Sequence, residues 1–167
     1  MFAPDQHGFE EYVAARRGAL LRTAYLLTGQ HDDAEDLVQV ALVKAVPRWR
    51  RIADDPEPYV RRILLHENIS RWRARRWREV STDRLPERAV PGATSEDALV
   101  LRDALQQLAP RQRAVIVLRY YEDLTERETA ELLGVRVGTV KSQARDALAR
   151  LRVLVPDLVE GLATVSP

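Results

Sequence analysis

The chain has 167 residues, enough for one ordinary domain or two small ones. It contains no cysteine, which excludes disulfide bonds and thiolate metal sites, and its three histidines are too few for a zinc site on their own. No apolar run approaches the ~20 residues of a membrane-spanning helix, and the N-terminus lacks a signal-peptide pattern. We therefore expect a cytoplasmic protein that does not enter a membrane.

The net charge of +1 conceals an uneven distribution along the chain. Residues 1–47 carry four basic and seven acidic side chains, whereas residues 48–88 carry twelve basic and seven acidic ones. Residues 89–167 are nearly balanced, with ten basic and eleven acidic side chains. A basic middle segment between acidic flanks predicts one surface that faces an anionic partner.

Apolar residues recur with helical spacing along almost the whole chain, which predicts an all-α fold. A first helix is expected to end at Gly29. A second is expected over about residues 33–48, with Asp32 or Asp33 as its N-cap and with an acidic start that suits the helix dipole. The residues of this helix that should point inward are Leu37, Val38, Ala41, Leu42 and Ala45.

The third predicted helix is rich in arginine and tryptophan. After the loop RRIADDPEP, Pro58 suits the first turn of a helix that reaches about Arg78. From Arg61 onward this helix contains seven arginines and two tryptophans. Guanidinium groups bind phosphate and flat rings stack on exposed bases, so the pattern favours a nucleic-acid surface. The alternative is a solvated basic face with Trp72 and Trp77 in the core.

The helical spacing stops over residues 79–95, where Pro, Ser, Thr and Gly predict a flexible linker. The predicted organisation is two small helical domains, at residues 1–78 and 96–153, followed by a tail at residues 154–167. Seventeen extended linker residues span roughly 56–61 Å, which corresponds to about sixteen to eighteen base pairs. Such a linker can join readers of two DNA elements that lie this far apart.

The second unit has the pattern of a helix-turn-helix. Thr125 and Glu128 predict a capping box, and Gly134 permits a tight turn between two helices. The buried stripe of the last helix should comprise Val137, Val140, Ala144, Ala147, Leu148 and Leu151. The opposite face presents groups that can reach phosphates and base edges in a major groove, namely Thr139, Lys141, Ser142, Gln143, Arg145 and Asp146. A packing unit with a merely solvated polar face is the alternative.

Together these blocks resemble the bacterial RNA polymerase sigma factors, in particular the extracytoplasmic-function group and its actinobacterial sigma-E-like branch. The resemblance covers about residues 8–153. It is carried by DDAEDLVQ, by PYVRRIL with RWRARR, and by LTERETAELLGV with GTVKS, in this order. It implies a non-enzymatic subunit, without a cofactor or metal, that binds core RNA polymerase and directs it to the −10 and −35 elements of promoter DNA.

The resemblance also implies three sets of site residues. Docking on the clamp helices of the largest polymerase subunit is implied for Asp33, Glu35, Asp36, Leu37 and Gln39. Contact with the opening −10 element is implied for Arg50, Arg51, Asp54, Asp55, Arg62, His66, Asn68, Arg71, Trp72, Arg73, Arg75 and Arg76. Contact with the −35 major groove is implied for Arg136, Thr139, Lys141, Ser142, Gln143, Arg145 and Asp146. Apolar surface near the last helix would meet the flap of the second-largest subunit, and an anti-sigma factor is left open as a further partner.

Five positions depart from the family pattern. His66 stands where Asn is usual, Asn68 stands where His is common, and Arg136 occupies a place often filled by a helix-capping Ser or Pro. Gln143 and Asp146 replace residues that are frequently arginine. Either the affinity for the −35 element is modest, or Asp146 points away from DNA.

The main alternative function is a self-sufficient helix-turn-helix repressor or activator. Such a protein would bind a duplex operator tightly without polymerase, usually as a dimer. The arginine–tryptophan helix argues against this alternative, because it suits single strands better. An enzyme is disfavoured, because the nearest acid–base pair is His66 with Glu67, and adjacent side chains on one helix diverge.

Overall fold

The computed structural model describes residues 5–78 and 96–163, and all regular structure in these two segments is helical. The linker predicted at residues 79–95 lies outside the described residues. The α-helices are α1 (Asp5–Thr28), α2 (His31–Ala45), α3 (Trp49–Ile52), α4 (Glu57–Arg78), α5 (Glu96–Gln106), α6 (Pro110–Ile116), α7 (Glu126–Leu133), α8 (Val137–Leu154) and α9 (Pro156–Ala163). The all-α prediction is confirmed.

The turn between α1 and α2 is shorter than the sequence predicts. Gly29 ends α1 with a φ of +76°, in the left-handed region where a residue without Cβ is favoured, as predicted. The next helix begins at His31, so Gln30 is its N-cap, and no side chain caps it. Asp32 and Asp33 lie inside the first turn, so their prediction as N-caps is wrong, although they still lie near the positive end of the helix dipole. The five residues predicted to point inward from this helix are all buried.

The segment between α2 and α4 is more helical than predicted. Pro47, which lacks an N–H, lies in a 3₁₀ turn at Val46–Arg48 that follows α2. The short helix α3 then takes up Arg50 and Arg51, which the sequence placed in a loop. The loop is thereby reduced to residues 53–56, and α4 follows with Pro58 in its first turn, as predicted.

The first unit packs α1 and α4 against α2. Leu27, Leu37 and Leu64 are fully buried between these helices, and burial of each such side chain contributes about 1.5–3 kcal/mol. Trp49 of α3 closes the bundle with its ring edge-on to Phe9, the two ring centroids being 5.1 Å apart.

The second unit is built around the helix-turn-helix of α7 and α8, and α6 packs against α8. Helix α9 packs on α8 within the stretch that we predicted as a tail, and Val155 and Val159 there are buried. A π-helical turn at Val117–Tyr121 continues α6 toward the first unit.

The two units pack against each other over α1 and α4 on one side and α5, α6 and α7 on the other. Leu20 and Leu27 of the first unit belong to the same buried cluster as Leu108 and Leu118 of the second. The described parts of both units therefore share one continuous hydrophobic core. Within residues 5–78 and 96–163, no helix is both long enough and apolar enough to cross a membrane.

Candidate nucleic-acid interface

Helix α4 separates an apolar face from a basic one. Leu64 and Leu65 are buried, whereas Arg62 and Arg73 are exposed on the other side of the helix. The pattern arises because apolar residues recur every three or four positions and arginines fill the positions between them. Trp72 lies at the edge of this face and is 37% exposed, so it is not a core residue as the alternative interpretation required. The side chains of Arg76 and Trp77 lie outside the described part of the chain.

Two of the residues that the resemblance assigns to binding surfaces are buried instead. Asn68 is only 7% exposed and lies on the inner side of α4. Leu37, assigned to polymerase docking, is fully buried in the core between the helices of the first unit. Neither side chain is accessible to a partner in this arrangement of the helices. The predicted contacts of Asn68 with DNA and of Leu37 with the polymerase are therefore wrong for this arrangement. The apolar spacing that placed Leu37 inward had already indicated its position.

The acidic face of α2 is partly satisfied within the chain. The Asp33 carboxylate lies 3.0 Å from the Arg75 guanidinium of α4. Glu35 forms an ion pair with Arg17 of α1. Asp36 and Gln39, by contrast, face solvent on the same helix, so their side chains are accessible to another protein.

A half-buried carboxylate fixes the start of α4. Glu57 accepts hydrogen bonds from the Tyr12 hydroxyl at 2.9 Å and from Arg16 Nε at 2.6 Å. Arg61 Nε lies 3.2 Å from the other oxygen, in an ion pair whose geometry does not make a hydrogen bond. Burial alone raises the pKa of Glu57, but the hydrogen bonds and the two guanidinium charges outweigh it and lower the pKa below its ordinary value. Glu57 is therefore ionised near neutral pH and anchors the helix to α1.

The helix-turn-helix has one well-capped helix and one without a cap. Thr125 Oγ1 accepts from the Glu128 amide at 3.1 Å, and Glu128 accepts from the Thr125 amide at 2.7 Å, which confirms the predicted capping box. Gly134 ends α7 in the left-handed conformation with φ +66°, as predicted. Arg136 is the N-cap of α8 and makes no side-chain capping hydrogen bond, in agreement with the expectation of a less firm start.

Two basic side chains on the polar face of α8 lie near carboxylates. Arg145 Nε lies 3.4 Å from the Asp146 carboxylate, and Lys141 Nζ lies 3.8 Å from Glu126 of α7. The Ser142 hydroxyl donates to the Thr139 carbonyl at 3.0 Å and so is occupied within the helix. Five of the six residues predicted for the buried stripe are buried or partly buried: Val140, Ala144, Ala147, Leu148 and Leu151. The sixth, Val137, is 38% exposed, so its predicted place in the stripe is wrong.

A cavity of about 480 Å³ lies where α4 faces the helix-turn-helix. It brings together residues that were predicted for two different DNA elements: His66 and Arg73 on α4, and Thr139 and Gln143 on α8. Arg111 of α6 also lines the cavity and was not predicted. Arg111 lies in the first turn of α6, before the apolar residues of that helix, and its sequence position does not indicate a site. Its location beside the cavity is evident only from the tertiary structure.

The remaining predicted residues of the loop lie at the surface. Arg50 and Arg51 project from α3, and Asp54 and Asp55 follow it, all of them exposed. Among the described residues, no group of three or more His, Cys, Asp or Glu side chains could hold a metal ion.

Comparison with known proteins identifies the two units. The family model for sigma-70 region 2 matches residues 12–78, and the model for sigma-70 region 4 matches residues 98–151. The RNA polymerase sigma-E factor of Streptomyces avermitilis is 47% identical over 148 residues, which cover 86% of this chain and 83% of the relative. The ECF RNA polymerase sigma factor SigL of Mycobacterium tuberculosis is 34% identical over 159 residues, which cover 90% of this chain and 88% of the relative.

A solved structure has the same fold. The sigma factor RpoE from Bartonella quintana, in complex with the anti-sigma factor NepR, is 29% identical in sequence and matches with a TM-score of 0.73. The match covers 89% of this chain and 97% of that one. The chain therefore belongs to the sigma-70 family of RNA polymerase sigma factors, within its extracytoplasmic-function group.

Proposed function

We propose that this sigma factor docks on core RNA polymerase through the exposed acidic residues of α2 and holds promoter DNA through α4 and α8. The observation that carries the proposal is the division of α4 into two faces. Arg62 and Arg73 reach solvent while Leu64 and Leu65 of the same helix are buried, so the arginines form a surface and not a core. A cationic surface of this kind binds the phosphates of nucleic acid.

Docking on the clamp helices of the largest subunit would use Asp36 and Gln39 directly. Asp33 and Glu35 would join them by exchanging Arg75 and Arg17 for cations of the polymerase. Ion pairs of such partly exposed residues are worth about 0–1 kcal/mol, so the exchange costs little. Leu37 would act only by holding α2 in the core.

Opening of the −10 element would be favoured by α4 and the short loop before it. Unstacking a base costs a few kcal/mol per step, and stacking on an aromatic side chain contributes about 1–3 kcal/mol per base. Trp72 offers a partly exposed ring beside the arginines, so a strand held by its phosphates can gain a ring contact that paired bases cannot make. The helix would thereby favour melted over paired DNA, and no covalent bond changes in this role.

Recognition of the −35 element would fall to α8 in the major groove. Thr139 and Gln143 supply neutral hydrogen-bonding groups, and Arg136 and Lys141 supply cations for phosphates. Asp146 is exposed beside Arg145 and offsets part of its charge. We therefore expect only modest affinity of the free protein for duplex promoters. Apolar surface near this helix, outside the face that enters the groove, would meet the polymerase flap.

Run-off transcription with purified core polymerase tests this proposal. The chain should start transcripts at defined sites that core polymerase alone does not use. Asp36→Arg should reduce binding to core polymerase, and Glu11→Arg is a matched control because it reverses an exposed acidic residue on α1. Equal binding by both variants would contradict the docking surface.

The same reagents separate this role from that of a self-sufficient repressor or activator. The family match does not favour that alternative. It requires tight binding of a duplex operator in the absence of polymerase. Tight duplex binding by the free chain, together with failure to support initiation by core polymerase, would support the alternative and overturn the proposed division of roles.

A further inference from the structure

The cavity between α4 and the helix-turn-helix carries one arginine from each unit. Arg73 lines it from α4 of the first unit, and Arg111 lines it from α6 of the second. Neither guanidinium forms an ion pair or a hydrogen bond with another residue that the structure describes. The one carboxylate of the lining residues belongs to Glu67, and it is held in an ion pair by Lys44 of α2. The cavity therefore has positive charge that its own carboxylate does not neutralise.

Neutral hydrogen-bonding groups lie beside these cations. Ser70 of α4 and the pair Thr139 and Gln143 of α8 line the same cavity. The Thr139 carbonyl accepts from Ser142 within the helix, but its hydroxyl and the Gln143 amide make no hydrogen bond with another described residue. Guanidinium, hydroxyl and amide groups can all donate, and a phosphate monoester presents three acceptor oxygens with a charge of about −1.5 to −2 near neutral pH. The polar part of the lining therefore suits a phosphate group.

The rest of the lining is aliphatic. Val115 of α6 and Val140 of α8 are buried, and Ile69, Leu133 and Val135 are partly buried around the same space. A phosphate gains nothing from these side chains, whereas removal of an apolar group from water against them is favourable. The combination predicts a ligand that carries an apolar group next to its charge.

The volume of the cavity restricts the occupant to a small molecule. Its volume of about 480 Å³ lies within the roughly 300–1,000 Å³ of small-molecule pockets. One turn of an α-helix, about 5.4 Å long and about 10–12 Å wide, occupies roughly 420–610 Å³. The cavity thus holds no more than about a single turn of a partner helix, and a DNA duplex is wider still.

We propose that this cavity binds a small phosphate monoester with an apolar organic group. The phosphate would lie between Arg73 and Arg111, within reach of Gln143, and the organic group would pack on Val115 and Val140. Ligand binding itself goes beyond the proposed function, and only its consequence for DNA rests on that function. Because Arg73 and Gln143 cannot hold the ligand and promoter DNA at the same time, the ligand would compete with DNA.

Calorimetric titration of the full chain with 1-naphthyl phosphate tests the site, because this probe joins one phosphate to a flat apolar ring. A ligand of about fifteen non-hydrogen atoms with ordinary efficiency should bind with a Kd on the order of 0.1–1 mM. Inorganic phosphate and 1-naphthol each carry half of the probe and should bind at least about tenfold more weakly. Inorganic phosphate that binds as tightly as the probe would overturn the role of the aliphatic wall.

Arg111 offers the sharpest variant, because it lines the cavity and is not among the residues assigned to DNA. Arg111→Gln should weaken binding of 1-naphthyl phosphate by at least about tenfold, since charge-assisted hydrogen bonds to phosphate are strong. Arg127→Gln is the matched control, because Arg127 is exposed on α7 of the same unit and does not line the cavity. Equal affinity of the probe for these two variants would overturn the site.

A variant that fills the cavity tests the same inference without a change of charge. Ser70→Trp places a large ring at the cavity from α4 and should abolish binding of the probe. Ala74→Trp adds the same ring at an exposed position of α4 outside the lining and should leave binding unchanged. Undiminished binding by Ser70→Trp would show that the probe lies elsewhere.

The outcomes distinguish the ligand site from the proposed function. Saturating 1-naphthyl phosphate should reduce binding of the wild-type chain to a −35 duplex, and Arg111→Gln should require a higher concentration of the probe for the same reduction. Unreduced duplex binding by the saturated chain would overturn the competition. A wild-type chain that fails to support initiation would overturn the proposed function, whereas the calorimetric titration needs neither polymerase nor DNA and decides the ligand site by itself.

Discussion

The two helices that we assign to DNA, α4 and α8, differ in how their charge is balanced. On α4, Arg62 and Arg73 form no ion pair with another described residue, and the exposed face is strongly basic. On α8, Lys141 faces Glu126 and Arg145 faces Asp146, so these two cations of the exposed face are each offset by a carboxylate, while Arg150 and Arg152 are exposed toward the end of the helix. Charge attracts DNA of any sequence, whereas neutral hydrogen-bonding groups read base edges. We therefore expect α4 to supply most of the affinity and the neutral groups of α8 to supply mainly selectivity.

The starts of the two helices differ as well. Glu57 anchors the beginning of α4 to Tyr12 and Arg16 of α1, whereas Arg136 begins α8 without a side-chain cap. A firmly held helix can keep its phosphate contacts in place, while a less firmly held one can adjust in the groove.

The largest expected effect follows from removal of the arginine surface of α4. Arg73→Ala with Arg75→Ala should slow open-complex formation by on the order of a hundredfold, if each arginine–phosphate interaction is worth roughly 1.4 kcal/mol. The dependence of promoter binding on log[salt] should become shallower by about 0.7–0.9 for each phosphate that is no longer neutralised. Binding to core polymerase should persist. Arg22→Ala, which removes an exposed arginine of α1, should leave all three quantities unchanged.

The stabilisation that Glu57 gives to the start of α4 should depend on pH. Because the folded pKa of Glu57 is lowered, the stabilisation is fully present above the ordinary pKa of 4.5 and is lost as the pH falls through the folded value. Glu57→Gln should therefore reduce the free energy of unfolding by about 1–2 kcal/mol near pH 7. Denaturant titrations of the two proteins at several pH values should converge well below pH 4.5. A difference that stays constant into acid would show that the carboxylate charge is not the source.

Removal of the acidic residue Asp146 from α8 should make the exposed face of α8 more basic and so more similar in charge to that of α4. Asp146→Ala frees Arg145 to face phosphate, so affinity for a −35 duplex should rise by about three- to tenfold and the salt dependence should steepen by up to about 0.9. Fluorescence anisotropy at several salt concentrations measures both. Glu131→Ala on α7, which removes the partner of another exposed arginine, provides the comparison. If Asp146→Ala weakens binding, Asp146 itself contacts a base, as it would by accepting from cytosine.

The smallest effect should come from capping α8. Arg136→Ser supplies an N-cap hydroxyl and should increase the free energy of unfolding by about 0.5–1 kcal/mol, whereas Thr125→Ala should decrease it by about 1 kcal/mol. Thermal unfolding followed by circular dichroism measures both changes. No stabilisation by Arg136→Ser would mean that the start of α8 is already satisfied in another way.

Local features of the fold could be predicted because they depend on neighbouring residues. The capping box of Thr125 and Glu128, the left-handed Gly29 and Gly134, and the inward residues of α2 all follow from helical spacing and turn chemistry. The predicted start of α2 was wrong, and α3 was missed because its residues were placed in a loop. A two-residue turn before α2 and the 3₁₀ turn at Val46–Arg48 shift the helix bounds by a few residues.

The contacts between the units could not be predicted from spacing alone. Arg113 looks like any other arginine of an amphipathic helix, yet it is buried against the end of α1. Glu122 and Arg61 are 61 residues apart, and only the packing of the two units brings them together. Leu37 shows the converse error, because the family resemblance placed a core residue on the docking surface.

Promoter melting is the most direct test of the central claim. The claim is that α4 binds opened promoter DNA only when the chain is in complex with core polymerase. A fluorescent base analogue in the non-template strand of the −10 element reports unstacking. The signal should rise when the chain and core polymerase are added together, should stay at baseline with either alone, and should fall strongly with Arg73→Ala and Arg75→Ala. An unchanged rise with that double variant, or no rise with the wild-type chain and core polymerase, would contradict the account.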